Sequence, residues 1–315
     1  MTLVSIPANP VPDDTVAGML TTKDGANLRF ARFSPPPGRK GTICIFPGRA
    51  EFIEKYFETV RDLRARGFAA AILDWRGQGG SQRVLSDPFK GHVRDFAEYE
   101  IDVEAFMREV VLPDCPPPHY AIAHSMGASV LLRMSYKGQR WFDRIVISAP
   151  MIGLSTKTYP RFAQPAMKIM RALGMSSSYI PGGDATVMAA QSFIGNPVTS
   201  DPVRHARTIA ILEARPTLGI GAPTVGWAAA AFDAMDQFAE PRFTSNLRQP
   251  MVLVAAGRDE IVSTLATEEF GLRLRAGAHL IVNGAKHELL MEQDRYRSQF
   301  LAAFDAFVPG TPLFA

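Results

Sequence analysis

The chain has 315 residues, a formal net charge of +3, 47% apolar residues and 21% charged residues. This balance is typical of a globular protein with enough chain for a large buried core. Lysines and arginines are scattered and form no basic run, so we expect no nucleic-acid partner. No stretch reaches the ~18 consecutive apolar residues that a membrane-spanning helix needs.

The first residues and the cysteines bear on cellular location. The stretch MTLVSIPANPVPDD has no basic segment and no long apolar core, so it does not resemble a secretory signal. The two cysteines, Cys44 in an apolar run and Cys115 before three prolines, predict reduced thiols and no disulfide framework. We therefore expect a cytoplasmic protein. The sequence leaves open both the oligomeric state and peripheral contact with the inner membrane.

Short apolar runs alternate with helical patterns along most of the chain. Strands are predicted at 41–48, 68–75, 120–125, 144–150, 251–259 and 278–284. Helices are predicted at 51–67, 93–111, 126–136, 263–275 and 292–307. Continuous apolar strands that alternate with helices predict an α/β fold with a parallel sheet covered on both faces.

Residues 151–235 depart from this rhythm. They contain seven prolines, helix-like pieces and no clear strand, and five of the 13 methionines fall between Met151 and Met188. We predict a core formed by residues 1–150 and 236–315, with 151–235 as a helical cap or lid inserted into it. The methionines suit an adaptable apolar surface, and equally suit ordinary core packing.

Ser125 lies where a predicted strand meets a predicted helix, in YAIAHSMGASV. The small residues Ala123 and Gly127 stand two positions before and after it, where strand and helix approach closely. This is the pattern of a nucleophile elbow, with alanine in place of the usual first glycine. The Met126 N–H, at the helix N-terminus, is suited to stabilise an oxyanion. The alternative is an ordinary serine cap of a helix.

A nucleophilic serine needs a base that is held by an acid, and after an elbow the chain order is serine, acid, histidine. His287 follows the last predicted strand, whereas His279 begins it and is expected at the opposite edge of the sheet; His205 lies in the insertion. Asp259 ends the strand before. Asp259 alone could be a cap and His287 an ordinary loop residue. Together with Ser125, at the carboxyl ends of predicted strands, they predict a Ser-His-Asp triad.

A second oxyanion donor is expected in the loop after an early strand. In FPGRAEF, Gly48 lets the backbone turn and the Arg49 N–H is the predicted donor; the alternative is a plain Pro-Gly turn. The stretch DWRGQGGS lacks the glycine spacing and lysine of a phosphate-binding loop and is interpreted as a turn after a strand. No metal or organic cofactor is implied.

The chain resembles the lysophospholipase and monoacylglycerol-lipase family of α/β-hydrolases, especially its bacterial lysophospholipases. The resemblance covers nearly the whole chain and rests on motifs in the family's order: FPGRAEFIEKY, LDWRGQGGS, SDPFKGHVRDFAEY, AHSMG, SAPM, GAPTVGW, GRDEIV and KHELLME. It implies a mostly parallel sheet of about eight strands with a lid, for which the methionine-rich segment 151–235 would form an apolar cover for an acyl chain. It also implies Ser125 as nucleophile, Asp259 as acid, His287 as base, and Arg49 and Met126 as oxyanion donors.

One departure from the family is Pro47, where many relatives have histidine before the glycine. This bears on the substrate class more than on the chemistry. We expect a serine hydrolase that cleaves carboxylic esters, with lysophospholipids or monoacylglycerols as its small lipid substrates.

Two alternatives stay open at this point. An aminopeptidase or other small-molecule hydrolase on the same fold would need an acidic pocket for a substrate amine, for which Asp184, Asp201 and Glu213 are the candidates in the insertion. The other is a non-enzymatic binding protein on a hydrolase scaffold, against which the intact triad argues.

Overall fold

The computed structural model describes residues 2–35, 40–156, 159–187 and 192–309. A single eight-stranded sheet organises them, with the strand order β1-β2-β4-β3-β5-β6-β7-β8. Its strands are β1 (Thr15–Thr21), β2 (Asn27–Phe33), β3 (Thr42–Phe46), β4 (Ala69–Leu73), β5 (His119–His124), β6 (Arg144–Ser148), β7 (Met251–Ala256) and β8 (Gly277–Val282).

The sheet is mostly parallel, as expected. Strands β3 to β8 pair in parallel, whereas β1 pairs with β2, and β2 with β4, in antiparallel fashion. The β1–β2 hairpin is missing from the elements predicted in chain order. Its turn contains Gly25 with a φ of 85°, after an aspartate, and its strands bury only part of their surface.

The helices lie between and beyond these strands. They are α1 (Phe57–Ala65), α2 (Ala97–Phe106), α3 (Leu112–Asp114), α4 (Met126–Tyr136), α5 (Ala163–Ala172), α6 (Pro202–Ala214), α7 (Val225–Ala239), α8 (Pro241–Asn246), α9 (Thr264–Leu272) and α10 (Asp294–Phe307). The predicted helix 51–67 begins with a 3-10 turn at Ile53–Tyr56, and 93–111 ends in a π turn at Met107–Val111.

Helices cover both faces of the sheet. On one face, Phe57 and Leu63 of α1 and Phe304 of α10 pack in a buried apolar cluster. On the other face, α2, α4 and α7 contribute to a second cluster that includes Phe106 and Leu131. The predicted α/β-hydrolase fold, with helices on both faces of a mostly parallel sheet, is confirmed.

The chain between β6 and β7 contributes helices and, within the described residues, no strand of the sheet. Helices α5, α6 and α7 fall in the predicted insertion, whose end at residue 235 lies within α7. Met188 lies outside the described residues. The division into core and cap stays a prediction. Throughout the described ranges, no helix has both the length and the apolar character needed to cross a bilayer.

Candidate active site

Ser125 lies at a sharp turn between β5 and α4. Its backbone has φ 50° and ψ −112°, a conformation that residues with a side chain rarely adopt. The turn is held on both sides: the Ser125 N–H donates to the Ser148 carbonyl at 3.0 Å, and the Met151 N–H donates to the Ser125 carbonyl at 3.2 Å. This geometry is that of the predicted elbow, at the carboxyl edge of the parallel sheet.

The small residues around the turn have a steric reason. A Cβ placed on Gly127 would lie 2.4 Å from the carbonyl oxygen of Phe46 and 2.7 Å from that of Pro47. Ala123, in β5, is fully buried. The helix after Ser125 therefore starts in contact with the backbone at the end of β3, and a side chain at 127 would push the two apart.

His287 and Asp259 meet Ser125 at this edge, although 162 residues separate Ser125 from His287. The His287 Nε2 lies 3.0 Å from the Ser125 Oγ, and its Nδ1 lies 2.8 Å from the Asp259 Oδ2. With Nδ1 donating to the carboxylate, Nε2 accepts from the serine hydroxyl. Asp259 follows β7 and His287 follows β8, so the structure brings the three predicted residues together.

Asp259 is held as an anion. Burial would raise its pKa, but the neighbouring His287 and the backbone N–H groups of Ile261 and Val262, at 2.8 and 2.9 Å, keep that pKa below its usual range. Burial likewise opposes protonation of His287, yet the Asp259 carboxylate outweighs it and raises the His287 pKa. The pair thus favours a basic imidazole next to the serine hydroxyl.

A second histidine, not singled out in the sequence, lies beside the first. The His124 and His287 ring centroids are 4.7 Å apart, and the His124 Nδ1 is 3.2 Å from the Ser148 carbonyl oxygen. Burial lowers the pKa of His124 to about 4, so this ring is neutral at pH 7. Its position directly before Ser125 is the only signal that the sequence carries for it.

The 47–51 loop after β3 lies against the serine. A Cβ placed on Gly48 would be 3.3 Å from the Ser125 Cβ and 2.9 Å from the His124 Cδ2. The Trp75 Nε1 donates to the Pro47 carbonyl and the Gln78 Nε2 to the Gly48 carbonyl, both at 2.8 Å. The loop that carries Arg49 is thus fixed next to the helix start that carries Met126. Their role as oxyanion donors stays a prediction.

The Arg49 side chain joins this loop to the segment before α7. Its Nη2 donates to the Gly221 carbonyl at 2.7 Å, and its guanidinium lies 5.1 Å from the centre of the Trp227 ring. Burial lowers the pKa of Arg49 to about 10. A partly buried cationic side chain therefore belongs to the residue after the glycine that contacts Ser125.

A buried ionic bridge under the same loop was not predicted. Glu51 accepts the Gly48 N–H at 2.5 Å, and Lys55 pairs with Glu51 at 2.9 Å and with Glu288 at 2.6 Å. Glu288 directly follows His287. Glu51 and Lys55 are four residues apart in FPGRAEFIEK, a spacing typical of an exposed ion pair on a helix, so nothing in the sequence indicates their burial.

The remaining histidines named in the sequence make contacts outside the triad. His279 is in β8 and faces Gly271 of α9, where an added Cβ would lie 2.6 Å from the His279 Cβ. His205 is buried on α6 with its Nδ1 2.9 Å from the Asn196 Nδ2. Both positions agree with their exclusion as the base.

Of the three acidic residues considered for an amine pocket, two are engaged elsewhere and the third is exposed. Asp201 caps α6 by accepting the Val203 and Arg204 N–H groups, both at 2.9 Å. Asp184 accepts the Thr186 N–H at 2.7 Å, and Glu213 is an exposed residue of α6. Within the described ranges, no group of three or more His, Cys, Asp or Glu residues is arranged to hold a metal ion.

Comparison with known proteins places this site in context. The family model described as "Serine aminopeptidase, S33" matches residues 37–294. Lysophospholipase L2 of Escherichia coli (strain K12) is 29% identical over 299 residues, which are 91% of this chain and 85% of that protein. The probable lysophospholipase L2 of Haemophilus influenzae is 28% identical over 291 residues, 92% of this chain and 90% of that protein.

Solved structures share the fold. A monoacylglycerol lipase from Paleococcus ferrophilus superposes with a TM-score of 0.70 at 17% identity, covering 89% of this chain and 98% of its own. A soluble variant of the monoglyceride lipase from Saccharomyces cerevisiae gives a TM-score of 0.72 at 16% identity, covering 93% of this chain and 96% of its own. These likenesses concern the architecture of the sheet and helices.

Proposed function

The chain belongs to the serine aminopeptidase S33 family, and from this premise we propose that it hydrolyses carboxylic esters of lysophospholipids or monoacylglycerols through Ser125, His287 and Asp259. The chain is an ester hydrolase of the α/β-hydrolase fold, and relatives that align over most of it are named lysophospholipase L2. The observation that carries the residue assignment is the hydrogen-bonded chain from Asp259 through His287 to Ser125.

In the first half of the reaction, the Ser125 Oγ attacks the acyl carbonyl carbon while the His287 Nε2 takes the hydroxyl proton. Asp259 stabilises the imidazolium that forms. As the tetrahedral intermediate collapses, His287 gives that proton to the departing alcohol oxygen, and the acyl group stays on Ser125 as an ester.

In the second half, water attacks the acyl carbon and gives its proton to His287, which returns it to the Ser125 Oγ as the fatty acid leaves. The carbonyl oxygen carries negative charge in both halves. We assign its stabilisation to the N–H groups of Arg49 and Met126, since the 47–51 loop and the first turn of α4 both lie next to Ser125. Met126 is also at the positive end of the α4 dipole.

The direct test is labelling and turnover with matched variants. The wild-type protein should react with a fluorophosphonate probe and hydrolyse a lysophospholipid, a monoacylglycerol or both. Ser125→Ala and His287→Ala should each lower kcat by about 10³-fold or more, whereas His279→Ala should stay near wild type. Near-wild-type turnover by Ser125→Ala, after its fold is checked by circular dichroism, would remove Ser125 from the mechanism.

We assign residues 151–235 to a cap over the serine. Two contacts support this: Arg49 bonds to Gly221 and lies over Trp227, both in that segment. A cap in this place would exclude water from the acyl site.

We also propose that α5 contacts a lipid surface. Phe162 directly before it, Ile169 within it and Leu173 directly after it are 71%, 60% and 72% exposed, at spacings that put them on one side of the helix. On its other side, Lys168 and Arg171 pair with acidic residues of α7. Co-sedimentation with phosphatidylcholine vesicles should detect binding, and Ile169→Asn with Leu173→Asn should abolish it without loss of turnover of a short ester.

The family's description raises aminopeptidase activity as a second candidate. The acidic residues named for an amine pocket serve as a helix cap, a turn ligand and an exposed side chain. We therefore expect no hydrolysis of aminoacyl p-nitroanilides by a preparation that hydrolyses p-nitrophenyl esters. Turnover of both substrates, lost together in Ser125→Ala, would favour the aminopeptidase.

A further inference from the structure

We propose that Glu51 is a positioning residue: its carboxylate fixes the 47–51 loop and, through Lys55, ties that loop to the segment that carries His287. The inference rests on the proposed ester hydrolysis. It adds to that proposal a group of side chains that fixes the position of the oxyanion donors relative to His287. Its three members come from the loop, from the 3-10 turn that follows it and from the residue after His287.

The first step concerns the backbone of Gly48. Its N–H donates to the Glu51 Oε2 at 2.5 Å, and its carbonyl accepts from the Gln78 Nε2 at 2.8 Å. The C=O of Gly48 and the N–H of Arg49 belong to one trans peptide unit and point in opposite directions. Because Gln78 holds the Gly48 carbonyl, the Arg49 N–H points away from Gln78.

The second step concerns the carboxylate itself. Glu51 is 3% exposed, and its Oε2 also accepts the Tyr56 hydroxyl at 2.6 Å. Its other oxygen faces the Lys55 ammonium at 2.9 Å. Burial would raise the Glu51 pKa, yet Lys55 outweighs it and the pKa stays below the usual range. The group that holds the loop is therefore an anion with both of its oxygens engaged.

The third step links the loop to the base. The Lys55 Nζ also lies 2.6 Å from the Glu288 Oε1, and Glu288 is bonded in the chain to His287. Burial would lower the pKa of Lys55, but the two carboxylates hold it above its ordinary value. One buried ammonium thus connects the predicted oxyanion loop to the histidine segment, which are far apart in the chain.

A contribution to stability alone explains the Glu51 contacts less well than a positioning role does. The same 3-10 turn is already anchored by Glu54, which pairs with the fully buried Arg29, while Arg29 also pairs with Asp74. A second buried ionic group has a desolvation cost, and apolar side chains of similar volume are often at least as stabilising. The Glu51 group differs from the Arg29 group in what it contacts: a loop N–H next to the serine and the residue after the base.

The test uses two substitutions, one of which changes the length of the side chain at position 51 and the other its charge. Glu51→Asp keeps the charge but withdraws the carboxylate from the Gly48 N–H, whereas Glu51→Gln keeps an oxygen at that distance and loses the charge. We expect kcat for p-nitrophenyl butyrate to fall about 30- to 100-fold in Glu51→Asp and about 3- to 10-fold in Glu51→Gln, with KM within about 3-fold of wild type, since a mispositioned donor costs less than a deleted one.

A transition-state analogue distinguishes oxyanion positioning from general damage. The affinity of an alkyl trifluoromethyl ketone, which forms an oxyanion on the serine, should fall by the same factor as kcat, while inhibition by the product fatty acid stays unchanged. The matched control is Glu100→Gln, another buried glutamate that pairs with Arg133 and Lys137 at 2.9 and 2.6 Å, on α2. It should leave kcat within about 3-fold of wild type, as expected of a pair remote from the reacting atoms.

The outcomes are separable. An inactive wild-type protein, or an active Ser125→Ala, would overturn the proposed function itself. With an active wild type, a larger loss in Glu51→Gln than in Glu51→Asp, or a loss in kcat without a matching loss in ketone affinity, would overturn the positioning role. If Glu51→Asp does not fold, Glu288→Gln decides, because it removes one end of the bridge and leaves Glu51 in place. Its Tm should fall but stay above the assay temperature, and its kcat should fall about 3- to 10-fold; an unchanged kcat would overturn the proposal.

Discussion

Gly127 and Phe46 contact each other across the elbow so closely that a Cβ on Gly127 would lie 2.4 Å from the Phe46 carbonyl oxygen. Gly127 belongs to the first turn of α4, and Phe46 ends β3. The contact places the helix that follows Ser125 directly against the strand that leads into the 47–51 loop. Any side chain at 127 must separate these two elements.

Gly127→Ala should therefore impair both stability and catalysis. We expect a loss of about 1–3 kcal/mol in the free energy of unfolding, as for overpacked sites, and a fall in kcat of at least about 10-fold, because the Met126 N–H shifts with the helix. Denaturant melts and short-ester kinetics measure the two effects.

The control for this substitution is Gly138→Ala, just beyond the C-terminus of the same helix. Gly138 has a φ of 80° but nothing within 4 Å of an added Cβ. It should lose stability through backbone strain alone and keep its kcat. Equal kcat in wild type and Gly127→Ala would mean that the contact does not position the donors.

The pH dependence of kcat/KM should report His287. The base must be neutral to accept the serine proton, and its pKa is raised, so activity should rise with pH through an apparent pKa above the ordinary value for histidine. The charged and titratable groups around it are Asp259, Glu288, Glu51, Lys55 and the neutral His124. The fall in kcat/KM toward low pH, the acidic limb of the profile, is measured with an uncharged short ester at constant ionic strength.

Asp259→Asn should move that limb to lower pH, since burial then opposes protonation of His287 without the main carboxylate that counters it. We expect kcat to fall by about 10³- to 10⁴-fold, as when the acid of a triad is replaced by its amide. An acidic limb that stays in place in this variant would show that another group controls it.

The methionines of α5 allow a test of the cap. Met167 is 6% exposed and packs in the main apolar cluster, with Met170 partly buried against it. Of the two roles that the sequence left open for these methionines, the burial of Met167 favours core packing. Met167→Gln should lower the free energy of unfolding by about 1–3 kcal/mol, because an amide is buried there.

The kcat/KM values for short and long esters distinguish core packing of Met167 from contact with the acyl chain. Met167→Gln should change kcat/KM for p-nitrophenyl acetate and for a long-chain ester in parallel, once the fraction folded is accounted for. A selective loss on the long ester would return Met167 to the acyl site, where each buried methylene contributes about 0.8 kcal/mol.

Arg49 should separate phosphate-bearing from neutral substrates. Its guanidinium is partly buried between the 47–51 loop and the segment before α7, where a phosphodiester could form charge-assisted hydrogen bonds with it. Arg49→Met retains the backbone N–H and should spare p-nitrophenyl acetate, while kcat/KM for a lysophospholipid falls at least about 10-fold relative to a monoacylglycerol. Equal losses on the two lipids would make Arg49 a link between cap and core only.

Local sequence determined the elements that carry the candidate site. Continuous apolar runs defined the parallel strands, and the strand–Ser125–helix junction with Gly127 two residues later predicted the elbow, because both depend on residues close in the chain. The chain order of Ser125, Asp259 and His287 then selected three residues that hydrogen bonds of 2.8 and 3.0 Å connect through His287. The amphipathic β1–β2 hairpin escaped because its strands are only partly buried.

Tertiary structure alone decided which charges meet beneath the site. Glu51 and Lys55 have the spacing of an exposed ion pair on a helix, and nothing near them indicates that Glu288, 233 residues beyond Lys55, completes the group. Likewise, only the packed molecule places Arg49 over Trp227 and buries Met167 in the core. The hydrophobic periodicity of a sequence predicts which residues are buried. It does not predict which distant side chains contact each other, because that depends on how the strands and helices pack in three dimensions.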